Sequence, residues 1–136
     1  MTVEINHLQH IGIPVTNIGV SAAFYGKLGF HEATRSAFDH NNGKGKMMMM
    51  KLKDIIVELY ELPSEDLAEI RQRKDGHIDH ITFDVSDIDQ TFSALKEAGF
   101  HIIEDKPVYL PFWEKGCRYF NILGPDGERL EFNQIL

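Results

Sequence analysis

Two histidine and glutamate pairs carry the chemistry this sequence offers. Glu58 follows His10 by 48 positions and Glu131 follows His80 by 51. Two neutral imidazole nitrogens and two carboxylate oxygens balance the charge of a divalent cation, and a mixed nitrogen and oxygen donor set suits a six-coordinate ion with water in its remaining positions. Any one of these side chains by itself reads as ordinary polar surface. Their recurrence at equivalent places is what points to a shared ion. The other histidines precede a strand (His7), follow helix-ending Gly-Phe pairs (His31, His101) or sit beside turns (His40, His77), and all five are read as structural or solvated.

The pairs recur because the chain repeats itself. A shift of 70 positions lays residues 10–31 (HIGIPVTNIGVSAAFYGKLGFH) over residues 80–101 (HITFDVSDIDQTFSALKEAGFH) without a gap. Identities then fall at His10/His80, Ile11/Ile81, Val15/Val85, Ile18/Ile88, Gly29/Gly99, Phe30/Phe100 and His31/His101, and such self-similarity marks a duplicated supersecondary unit.

Each copy opens as a strand, with Ile11, Ile13 and Val15, or Ile81, Phe83 and Val85, at period two. A helix follows, with Asn17 or Asp87 as N-cap, Val20, Ala23 and Phe24 or Ile88, Phe92 and Leu95 at helical spacing, and Gly29 or Gly99 as the stop. The first copy continues with strands over 31–38, 47–52 and 55–61, separated by the polar turn HNNGKGK and a tight reversal at Lys53-Asp54. In the second copy come a short strand over 101–104, a long loop through Pro107 and Pro111, a strand over 118–123, the turn Gly124-Pro125-Asp126-Gly127, and a last strand over 129–133. The reading is α+β: one domain, 1–136, of paired βαβββ modules, 7–62 and 77–134. They are joined by a connecting helix over about 64–74 with Ser64 as cap and Glu65 and Asp66 in its first turn.

Alternation along a strand sorts the candidates onto one face. His80 lies with Thr82 and Asp84, opposite Ile81, Phe83 and Val85. Glu58 lies with Ile56 and Tyr60, opposite Val57 and Leu59, and Glu131 lies with Arg129 and Asn133, opposite Leu130 and Phe132. Every candidate ligand therefore avoids the face that packs on a helix. The run from Met47 to Met50 is read as strand packing on two faces.

Bulk properties narrow the partners. At 136 residues and 43% hydrophobic content the chain can bury one real core. A net charge of -7 and a pI near 5.4 argue against nucleic acid and anionic membrane surfaces, which reward clustered Lys and Arg. No stretch of 18 apolar residues occurs, and the start MTVEINHLQHIG shows no basic segment leading into an apolar run, so the expected location is cytoplasmic. The single Cys117 has no partner for an intramolecular disulfide and is read as a small buried hydrophobe.

These segments resemble a known family. LQHIGIPVTNIGVSAAFYGKLGF is similar to the opening of glyoxalase I (lactoylglutathione lyase) and its relatives, DIIVELYEL to the strand bearing their second ligand, DHITFDVSDIDQTFSALKEAGF to the opening of their second module, and GPDGERLEF to their closing motif. The chain is thus identified as a member of the vicinal-oxygen-chelate superfamily, and the resemblance covers nearly all of it. It implies an incomplete barrel of curved mixed sheet around a metal, and commonly a homodimer. The ion is Ni, Co or Zn, with Mn or Fe as alternatives, held by His10, Glu58, His80 and Glu131. The chemistry implied is that of a lyase or isomerase. A small substrate with two neighbouring oxygens chelates the metal, and a carboxylate moves a proton between adjacent carbons through an enediolate. Glu131 takes that catalytic role, with Glu58 as second candidate.

Enzymes acting on glutathione adducts commonly place an Arg four residues after the first ligand and an Asn four after the second. Here those positions hold Pro14 and Leu62, which argues against glutathione. HIGIPV and DHITFDVSDID also resemble methylmalonyl-CoA epimerases, the alternative within metal-assisted proton transfer. Ring-cleaving dioxygenases and fosfomycin thiol transferases use three protein ligands and rank lower. A metal-free binding module of the bleomycin-sequestering kind is the alternative of another class, and such modules generally lack the full ligand set. For substrate contact the sequence offers Tyr60 together with Trp113, Lys115 and Arg118 in the segment 109–119, either a lid and anion anchor or a plain surface loop covering the core.

Overall fold

Polar and apolar residues alternate so regularly in the last strand of each half that the position of the core follows from it. The computed structural model describes residues 2–27, 29–73, 78–123 and 129–136. Among these are eight strands and three helices, in two units: His10–Asp79, and Met1–Gln9 with His80–Leu136. The N-terminal residues thus pack with the second half of the chain. His77 and the turn Gly124-Pro125-Asp126-Gly127 lie outside the described residues.

The unit His10–Asp79 contains most of β1 (His7–Pro14), α1 (Ile18–Lys27), β2 (His31–His40), β3 (Gly43–Leu52), β4 (Ile55–Glu61) and α2 (Ser64–Gln72). Its strands lie in the order β2-β3-β4-β1. β1 runs parallel to β4 with Ile11 opposite Val57 and Gly12 opposite Glu58, and β3 is antiparallel to both β2 and β4. The core gathers Val15, Met48, Met50, Val57 and Leu59. Met47 and Met49 are buried as well, so the methionine run does pack on both faces of β3.

The other unit repeats the pattern with β5 (His80–Asp84), α3 (Ile88–Glu97), β6 (Val108–Leu110), β7 (Cys117–Leu123) and β8 (Arg129–Ile135), ordered β5-β8-β7-β6. β5 is parallel to β8, with Ile81 opposite Leu130 and Thr82 opposite Glu131. Here the core is Val85, Ile88, Leu95, Phe120, Ile122 and Phe132, with Phe120 stacked on Phe132 at 5.3 Å and edge-on to Phe92 at 5.1 Å. Both expected N-caps form: Asn17 Oδ1 accepts from the Val20 amide at 3.1 Å and Asp87 Oδ1 from that of Gln90 at 3.0 Å. Gly29 and Gly99 end their helices at φ 100° and 81°, a region open to glycine at little cost.

Several local expectations are corrected. In α1 the stripe Val20, Ala23 and Phe24 faces outward, with Val20 67% and Phe24 57% exposed, while Ile18, Ala22 and Tyr25 meet the core. The helix carries apolar residues nearly all round, so spacing alone did not select the packed side. Ser64 is not the cap of α2: Pro63 holds that place without a side-chain bond, although Glu65 and Asp66 do occupy the first turn. The polar turn shrinks to Asn41 and Asn42, both at positive φ (44° and 63°), between paired His40 and Gly43. This is the backbone a two-residue hairpin requires, and β2 and β3 lengthen accordingly. Residues 101–104 form no strand but a single bridge, Ile102 to Ile122, because the Glu104 carboxylate bonds the Asn121 amide at 2.6 Å where another strand would. A short strand, β6, arises instead inside the expected loop, bracketed by Pro107 and Pro111, which have no N–H to extend a ladder. Ile81 is 38% exposed because α3 lies over β7 and β8.

Candidate metal centre

The first pair is set by the parallel ladder between β1 and β4. Val57 and Leu59 go into the core, so Glu58 and Tyr60 turn to the opposite face. Gly12, on the face of His10, sits opposite Glu58, and Met49 flanks Glu58 from β3. His10 Nε2 lies 3.6 Å from Glu58 Oε2, and His10 is only 1% exposed.

The second pair is built the same way. Leu130 and Phe132 pack with the core, Glu131 turns away from it, Thr82 is its partner on β5 and Asn121 its partner on β7. His80 Nε2 lies 3.5 Å from Glu131 Oε2, with His80 6% and Glu131 9% exposed. Arg129 Nη2 approaches His80 Nδ1 to 3.5 Å, too far to fix the ring's tautomer. Burial pushes the Glu131 carboxyl above its ordinary value, and nearby Glu104 pushes it further; His80, a hydrogen bond from Asn133 and Arg129 oppose the shift.

Separations of 3.5 and 3.6 Å exceed the 2.7–3.2 Å or so of an ordinary N–H···O bond. Two donors each about 2.0–2.2 Å from one cation stand roughly 3.0–3.5 Å apart. The spacing of the second pair falls at the upper end of that range and that of the first just beyond it, and both lie nearer to it than to a direct hydrogen bond. A buried carboxylate of raised proton affinity is also a group that a cation would relieve.

The remaining candidates are placed as follows. Tyr60 is buried on the Glu58 face. Trp113 sits between β6 and β7 at φ 68°, and its buried Nε1 has no hydrogen-bond partner among the described residues. Lys115 is exposed. Arg118 gives both arms of its guanidinium to Asp89, at 2.7 and 2.8 Å, which holds the Asp89 carboxyl below its ordinary value. Cys117 is buried. Of the histidines set aside, His7 approaches Asp84 at 3.9 Å and His40 approaches Asp66 at 3.4 Å.

Sequence reasoning gave no role to Gln9, Thr82, Asn121 and Asn133, all buried polar residues around the second pair. A faint signal existed: Thr82 and Asn133 each stand two positions from a candidate ligand on the same strand and so share its face. Their burial was not visible in the sequence.

The family model described as Glyoxalase/Bleomycin resistance protein/Dioxygenase superfamily matches residues 7–132. Uncharacterized protein YwbC of Bacillus subtilis (strain 168) is 30% identical over 130 residues, 93% of this chain and 96% of that protein. Among solved structures, hypothetical protein BH1468 from Bacillus halodurans C-125 aligns with a TM-score of 0.75 at 28% identity, covering 96% of this chain and 94% of its own. Methylmalonyl-CoA epimerase from Mycobacterium tuberculosis aligns at 0.80 and 17% identity, covering 100% and 92%.

Proposed function

The chain belongs to the glyoxalase/bleomycin resistance protein/dioxygenase superfamily, and on that premise we propose that it is a metal-dependent lyase or isomerase of the glyoxalase I-like kind. One divalent ion, Ni, Co or Zn with Mn or Fe as alternatives, would be held by His10, Glu58, His80 and Glu131. The observation that carries this reading is the equivalence of the two His–Glu pairs, 3.6 and 3.5 Å across, on parallel ladders of matching register. Once bound, the ion supplies Lewis acidity to a substrate with two neighbouring oxygens, making the adjoining C–H acidic. Glu131, as a carboxylate that burial makes a stronger base, would take the proton from one carbon and, once protonated, return it to the next, with Glu58 as the second carboxylate. Pro14 and Leu62 offer no polar group to a peptide, which argues against a glutathione adduct as the substrate.

A second reading is epimerisation of a methylmalonyl-CoA-type thioester. The fold likeness to the epimerase of Mycobacterium tuberculosis favours it, and the same carboxylates serve it. Among the described residues no helix is long and apolar enough to cross a membrane. The enzyme is proposed to work in the cytoplasm as a homodimer on a small-molecule substrate.

Titration of the metal-free protein with Co, Ni, Zn and Mn tests the centre, with one ion per chain expected. Two ions per chain would mean that the pairs act separately, and no uptake would leave a metal-free binding module. Deuterium wash-in from D2O then separates the substrates: exchange into hemithioacetals supports the first reading, and exchange only into acyl-CoA thioesters supports the second.

A further inference from the structure

A chain of buried amides ends on Glu131. Asn133 Nδ2 donates to Glu131 Oε1 at 2.9 Å. Gln9 Nε2 donates to Asn133 Oδ1 and to the Asn133 backbone oxygen, both at 3.3 Å, and to Asp84 Oδ1 at 3.1 Å. Asp84 is in turn held through Oδ2 by Asn6 Nδ2 at 2.7 Å. Gln9 is 2% and Asn133 3% exposed.

The direction of this chain follows from its ends. A carboxylate only accepts, so Asp84 draws the nitrogen of Gln9 toward itself, and the same nitrogen then meets Asn133, which must present oxygen. That leaves the Asn133 nitrogen for Glu131. The terminal torsion of a glutamate is broad and roughly two-fold, so its oxygens interchange freely unless one is held. Here Oε1 is held by Asn133, and Oε2 is the oxygen beside His80, 3.5 Å from Nε2. The place equivalent to Asn133 in the first half, two positions after Glu58, is Tyr60, so this amide device is particular to the second half.

We propose that Asn133 is a positioning residue for Glu131 and that Gln9 sets the direction of the Asn133 amide. In this way a residue before the first ligand orients the last one. The inference rests on the reading of Glu131 as a metal ligand. Outer groups of this kind commonly change metal affinity by about 10–100-fold when removed.

The discriminating variant is Gln9→Glu, equal in size but an acceptor where Gln9 donates. It should turn the Asn133 amide over and set its oxygen against Glu131. In protein loaded with Co(II), the expected result is a dissociation constant raised about tenfold or more and an altered visible absorption spectrum. Asn133→Leu should do the same. Val20→Ala, on the exposed side of α1 and outside this chain of amides, should leave both readouts unchanged. If Gln9→Glu fails to fold, Gln9→Met removes the donor without adding charge. A Co(II) affinity within about twofold of wild type together with an unchanged spectrum in Gln9→Met or Gln9→Glu overturns the proposal. If the wild type takes up no cobalt, the metal reading fails separately. The carbon-13 signal of the Glu131 carboxyl in the metal-free protein then decides: a shift in Gln9→Met sustains the positioning role, and an unmoved signal ends it.

Discussion

Glu131→Gln should stabilise the metal-free protein and remove its response to metal. The wild-type carboxyl is buried, and desolvation raises its proton affinity above the ordinary value of 4.5. Glutamine keeps the shape, its oxygen can still accept from Asn133, and it carries no charge to desolvate. An imperfectly compensated buried charge costs a few kcal/mol, and the bond from Asn133 offsets part of that. We therefore expect a gain on the order of 1–2 kcal/mol above neutral pH, or roughly 4–8 °C in Tm for a chain of this size. The pH dependence fixes the sign. Between the unfolded and folded values of this carboxyl, the folded wild type holds a proton that the unfolded chain has released, so its stability falls as pH rises through that window. The variant has no such group. The two should melt together below the ordinary carboxylate range and separate as pH climbs, with the full gap above the folded value. Thermal melts in EDTA from about pH 4 to 9 measure this. With metal at about 100 times its Kd the wild type should gain about 2.7 kcal/mol and the variant far less. A variant that melts below wild type throughout, or a gap that ignores pH, would refute the account.

Three further outcomes follow from the geometry. His10→Ala and His80→Ala should weaken metal binding to a similar degree, because their pairs match at 3.6 and 3.5 Å; calorimetric titration in which only one variant loses affinity would contradict a shared ion. Leu59→Ala, at a position with no exposure, should cost about 2–5 kcal/mol in urea melts, whereas Val20→Ala on the outer side of α1 should stay within about 0.5 kcal/mol. The exposed Arg118 and Asp89 pair should show a coupling below about 1 kcal/mol in a double-mutant cycle, shrinking with added salt; a larger, salt-insensitive coupling would show that the pair does more than tie β7 to α3.

The duplication and the facing of the strands were legible because both are periodic properties of the chain. A spacing of 70 between His10 and His80, and alternation through Val57, Glu58, Leu59 and Tyr60, survive without any knowledge of what each element touches. Helix ends at Asn17, Asp87, Gly29 and Gly99 were legible for the same reason, since caps and stops are local chemistry. What the sequence left open depended on partners distant along the chain. Which stripe of α1 meets the core was decided by the sheet it packs on, and the loss of a strand at 101–104 by the carboxylate of Glu104 reaching Asn121. The burial of the polar face was decided in the same way. The hold on Glu131 joins Gln9 to Asn133, 124 residues apart. Periodicity reports which way a side chain points; only tertiary packing decides what it meets there, because that depends on residues no local window contains.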